Sequence, residues 1–145
     1  MSEDLNYSCK ICSLSFKDRG DEYVTKFRRI RSECMTKQNK AKLYIATSLS
    51  GIIKIGLSCN VDQRIKTVFK LNELDKYYIV AEDQLSLYNI CRLEAILLKK
   101  SIKYQITDNV KLHNSEYRSI SCLPSLFKLI NKLNLTIKEI NVCQK

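Results

Sequence analysis

Two β-rich runs separated by a four-residue turn constrain this chain more than any other feature. Lys42-Leu43-Tyr44-Ile45-Ala46-Thr47 and Ile52-Ile53-Lys54-Ile55-Gly56 are dominated by branched and aromatic residues. The connector Ser48-Leu49-Ser50-Gly51 is turn chemistry of hairpin length. Strands joined this closely pair antiparallel, which brings Tyr44 and Lys54 near one another. After Gly56, Ser58 and Asn60 supply turn and N-cap character. Val61, Ile65, Val68 and Phe69 then fall at helical spacing, and that helix presents Arg64 one turn from its start. Tyr77–Ala81 reads as a third strand. Leu87–Ile102 is the longest helix candidate, with Ile90, Leu93, Leu97 and Ser101 on its inner side. Glu94 borders that stripe, where a bare carboxylate is costly unless it is paired or metal-bound. The order strand, strand, helix, strand, helix predicts an α/β layer domain. Its sheet is expected to be small, three-stranded and mainly antiparallel, flanked by helices.

The flanking segments differ from this middle. Residues 1–41 read as an N-terminal arm, polar at first and then basic. Within it Tyr23, Phe27 and Ile30 suggest a short helix over Glu22–Cys34. Residues 42–122 form the expected domain. Residues 123–145 open with Leu123-Pro124, then place Leu126, Phe127, Ile130 and Leu133 on one helical face. Leu135–Val142 alternates for much of its length and suits a short edge strand. With 145 residues and 45% apolar side chains, the chain suffices for one packed domain. One Pro and three Gly exclude collagen-like and linker-like readings. The longest apolar runs are too short to cross a bilayer, and Met1-Ser2-Glu3-Asp4 is the wrong chemistry for a signal peptide. The expectation is an intracellular protein with no membrane partner.

Charge narrows the partners. The 25 Lys and Arg against 15 Asp and Glu leave +10, and the surplus is densest where the arm meets the first strand. Arg28, Arg29, Arg31, Lys37, Lys40 and Lys42 make up that stretch. Each phosphate neutralised by a cation releases condensed counterions, so such a surface favours polyanions. DNA is the expected partner, and RNA carries the same phosphates. The plainer reading is a solvated lysine-rich surface reflecting an AT-rich genome.

The seven cysteines do not form an evident disulfide framework. Cys9-Lys10-Ile11-Cys12 is a CxxC, and Cys34 follows at the end of the basic segment. A tetrahedral zinc site wants a second close pair, yet Arg31 occupies the position where the partner of Cys34 would stand. The single His is His113, far along the chain. Zinc on Cys9, Cys12 and Cys34 is therefore the lesser alternative to ordinary thiols.

Taken together, Leu43-Tyr44-Ile45, Lys54-Ile55-Gly56, Arg64 and Glu94 on a long helix resemble the GIY-YIG nuclease superfamily. The likeness is to the branch found in phage and large-DNA-virus proteins, where the second element reads KIG. Ser115-Glu116-Tyr117-Arg118 looks like the acidic-aromatic pair with which that branch often closes. The resemblance spans about residues 42 to 122. It implies a Mg²⁺- or Mn²⁺-dependent endonuclease acting on DNA, in the cytoplasm or nucleus of an infected cell if the chain is viral.

The resemblance also implies roles. Glu94 matches the helix Glu that holds a hard cation, which prefers oxygen ligands and takes only one or two carboxylates plus waters. Arg64 matches the Arg whose planar fork opposes charge on the phosphate. Tyr44 matches the first-motif Tyr, which activates or orients the attacking water. Lys54, on the next strand, is expected to depress that phenol's pKa or to donate to a phosphate oxygen. Asn114 matches a polar residue after the long helix, and Gly56 permits close backbone approach. Three departures stand beside these matches. Lys42-Leu43 replaces Gly-Ile, Lys54 replaces the second Tyr, and Leu98 stands where many branch members carry a His four residues after the Glu. They leave two further readings beside the nuclease: a non-catalytic nucleic-acid-binding module of the same fold, and a zinc-stabilised interaction protein.

Overall fold

The computed structural model describes residues 41–69, 73–106 and 116–142. Five strands form one sheet: β1 (Lys42–Ser48), β2 (Ile52–Ser58), β3 (Leu74–Val80), β4 (Tyr117–Ser119) and β5 (Ile137–Asn141). Their order is β4-β2-β1-β3-β5, and every pairing is antiparallel. Among the described residues three α-helices accompany them: α1 (Val61–Val68), α2 (Leu87–Lys100) and α3 (Leu123–Lys132). The three-stranded sheet expected from the sequence is thus corrected to five. β4 has only three residues, too few for an alternation to register, and β5 joins the sheet by pairing along β3.

The hairpin forms as its chemistry dictates. Gly51 takes φ +87°, a left-handed conformation that L side chains rarely adopt, and its N–H donates to Ser48 O at 3.2 Å. Central strand β1 is buried on both faces because helices cover both sides of the sheet, so it reads as a nearly continuous apolar run rather than an alternation. Leu43 and Ile45 join Ile53, Ile55 and Leu57 against Ile90, Leu93 and Leu97 of α2 and Leu126 and Ile130 of α3. Tyr44 and Ala46 point the other way, into a second cluster with Val61, Ile65 and Val68 of α1, Tyr77 and Ile79 of β3, and Tyr117 of β4.

Helix ends follow from local hydrogen bonding. Asn60 caps α1 by accepting from the Gln63 N–H at 3.3 Å, and Ser86 caps α2 by accepting from the Asn89 N–H at 3.2 Å. α2 stops at Lys100 rather than Ile102, because Ser101 turns out of the helix and its hydroxyl donates to Leu97 O at 2.7 Å. β3 begins earlier than the sequence suggests, at Leu74, where Leu49 N–H donates to Glu73 O at 2.7 Å. Among the described residues, no helix is long and apolar enough to cross a membrane.

Candidate active site around Tyr44

Register determines what faces Tyr44. Tyr44 pairs with Gly56 across the β1–β2 ladder, and Lys54 pairs with Ala46, so Tyr44 and Lys54 share a face as diagonal neighbours. The Tyr44 ring lies across the bare Cα of Gly56: a Cβ built there would stand 2.6 Å from the phenolic oxygen and 2.7 Å from Cζ. Glycine is needed at this position for close approach.

Three charged side chains from separate elements act on the Tyr44 hydroxyl. Burial pushes the phenol well above its ordinary pKa; the Glu116 carboxylate reinforces this, Arg64 partly opposes it, and Glu94 adds to it. Arg64 comes from α1, Glu94 from α2 and Glu116 from the residue before β4. Glu94 is 2% exposed, held on the covered side of α2. Its cost of burial explains why a carboxylate beside an apolar stripe is informative in a sequence.

The expectation that Lys54 would lower the Tyr44 pKa is corrected. Lys54 Nζ instead pairs with Glu116 Oε2 at 3.2 Å, and it lies 5.1 Å from the centroid of the Tyr117 ring. With its charge engaged there and the phenol buried, Tyr44 stays neutral at ordinary pH. A neutral phenol can accept and donate hydrogen bonds, and so hold a water in place.

Glu116 is the residue that site assignment from sequence passed over. In the sequence it stands as half of the acidic-aromatic pair, a carboxylate directly before Tyr117-Arg118. The structure gives it a fixed backbone, since Ile55 N–H donates to Glu116 O at 3.1 Å. Behind it, Arg118 is 1% exposed and ties β4 to the end of α2. Its guanidinium donates to Ser101 Oγ at 3.1 Å, Tyr117 O at 2.9 Å and Leu98 O at 3.0 Å.

Of the other expected site residues, only Lys42 is among those described, and its ammonium is engaged away from Tyr44. Lys42 bonds Glu82 at 2.8 Å, with Lys138 also 3.9 Å from the same carboxylate group. Asn114, Arg28, Arg29, Arg31, Lys37, Lys40, Cys9, Cys12 and Cys34 fall outside the described residues. Among the described residues, no group of three or more His, Cys, Asp or Glu stands together as a metal cage. Glu116 is engaged by Lys54, and Glu94 is the carboxylate that would offer an oxygen to a hard cation, which takes one or two such ligands and completes its shell with water.

The chain matches no family model, and no curated protein sequence or solved structure matches it.

Proposed function

We propose that this chain is a GIY-YIG-like, metal-dependent endonuclease that hydrolyses phosphodiester bonds in DNA. The observation that carries the reading is the setting of Tyr44: its phenol lies against Gly56, and Arg64, Glu94 and Glu116, from three elements distant in sequence, are near enough for their charges to bear on it. Glu94 would hold Mg²⁺ or Mn²⁺, which when bound supplies Lewis acidity toward the phosphate. Tyr44, neutral and fixed over Gly56, orients the attacking water through its hydroxyl. Arg64 presents a planar fork to the phosphate as negative charge grows on its oxygens. Water adds to phosphorus, the bond to the departing sugar oxygen breaks, and the proton lost by water ends on that oxygen.

Plasmid nicking tests this reading. Tyr44→Phe deletes one oxygen and is expected to suppress cleavage, and Arg64→Ala to lower it and weaken binding. Both are read against the wild type with Mg²⁺ or Mn²⁺. A second reading, a DNA-binding module without cleavage, is favoured by the deep burial of Glu94. It predicts intact plasmid with binding retained.

A further inference from the structure

We propose that Lys54 is a masked phosphate-binding residue and that Glu116 is its mask, occupying the ammonium until a nucleic-acid phosphate displaces it. The inference rests on the nucleic-acid reading above and adds a competitor built into the site. Lys54 and Glu116 are 3.2 Å apart with side chains 13% and 23% exposed, so the pair is reachable by an oxygen arriving from outside. A mostly covered ammonium is costly to leave unpaired, so the carboxylate leaves it only as another anion takes its place, and a phosphate oxygen supplies that anion.

The surroundings favour exchange over simple bridging. Lys54 is held in mid-strand, between Ala46 on β1 and Tyr117 on β4. Its ammonium lies near the Tyr117 ring, a contact that persists whichever anion it binds. The Glu116 carbonyl accepts from the Ile55 N–H at 3.1 Å, so the backbone holds its place in the ladder while the carboxylate is exchanged. Lys54 shares its sheet face with Tyr44 and Gly56, so a phosphate on Lys54 lies on the face that carries the phenol. Other ion pairs among the described residues, Lys42 and Lys138 with Glu82 and Lys76 with Glu139, are not among the charges that act on Tyr44.

The exchange leaves a signature in salt dependence. When phosphate displaces Glu116, the released carboxylate recruits a cation and cancels one counterion released from the duplex. Without that carboxylate the full release is recovered, and the slope of log K against log salt steepens by about 0.9. The test is fluorescence anisotropy of a labelled duplex with the full chain in EDTA, over a range of KCl. Glu116→Gln is expected to bind more tightly than wild type, the advantage growing about eightfold for each tenfold fall in salt. Placed in a Lys54→Met background, the same change is expected to leave the slope unaltered.

A slope change of equal size with and without Lys54 would mean that only net charge had changed, and would overturn the proposal. So would a wild-type slope in Glu116→Gln alongside normal wild-type binding, a result that leaves the nuclease reading standing. Loss of all salt-dependent duplex binding by the wild type would overturn both. Should Glu116→Gln fail to fold by circular dichroism, Glu116→Asp shortens the side chain by one methylene. It is expected to move the slope in the same direction by less, and an unchanged slope there would count against the mask.

Discussion

The Tyr44 phenol rests on Gly56, its cross-strand partner, with the space of a missing Cβ filled by the ring's own oxygen end. Motif and geometry meet here, since the glycine of Lys54-Ile55-Gly56 leaves room for the tyrosine of the neighbouring strand. Tyr44 is 1% exposed and has nowhere to swing. Gly56→Ala is therefore expected to cost about 1–3 kcal/mol through overpacking. Urea denaturation measures the loss, and adding Tyr44→Leu to the same chain should recover part of it. An unchanged midpoint in Gly56→Ala would show that the ring yields freely.

Arg118 is expected to be the most sensitive polar position in the described fold. Its three donors satisfy Leu98 O and Ser101 Oγ at the end of α2 and its own neighbour's carbonyl, Tyr117 O. Burial draws the guanidinium's pKa down, and the carbonyls of a helix C-terminus offset the desolvated charge. Arg118→Met strands these acceptors, a loss of about 3 kcal/mol. Arg118→Lys keeps a cation without the fork and should fall between the two. Equal stabilities for Met and Lys would show that charge at the helix end contributes nothing.

Tyr77 links β3 to α1 by donating to Asp62 Oδ1 at 2.7 Å, and burial with that bond pushes its pKa from 10.0 up to about 12. The folded state thus holds a proton that the unfolded chain gives up first. The stability from this group is fully present below pH 10 and is lost as pH rises toward 12. Denaturation midpoints across that window are expected to fall less steeply in Tyr77→Phe than in wild type. Parallel curves would rule out the Tyr77 proton as a source of alkaline instability.

The hairpin and the three described helices were legible because each rests on local pattern, whereas the grouping of Tyr44, Arg64 and Glu94 rests on the family resemblance. β-branched runs, 3.6-residue spacing and a carboxylate beside an apolar stripe all declare themselves within a short window. What escaped depends on partners far along the chain. Lys54 reads as a cation for the Tyr44 phenol or a phosphate until β4 brings Glu116 beside it, and a three-residue strand has no period to reveal it. Lys42 looked like the last cation of a basic stretch, but the β1–β3 pairing places it against Glu82. The sheet grew from three strands to five for the same reason, since strand partnership is a tertiary property.

The central claim is that Glu94 supplies the charge a catalytic cation needs, and one substitution addresses it most directly. Glu94→Gln keeps size and hydrogen bonding at a position 2% exposed while removing that charge. Nicking of supercoiled plasmid in Mg²⁺ is measured alongside duplex binding in EDTA and far-ultraviolet circular dichroism. The account predicts that the wild type nicks, and that Glu94→Gln loses nicking while fold and binding remain. Nicking undiminished in folded Glu94→Gln, or a clean wild type that binds plasmid and leaves it intact in both Mg²⁺ and Mn²⁺, would contradict it.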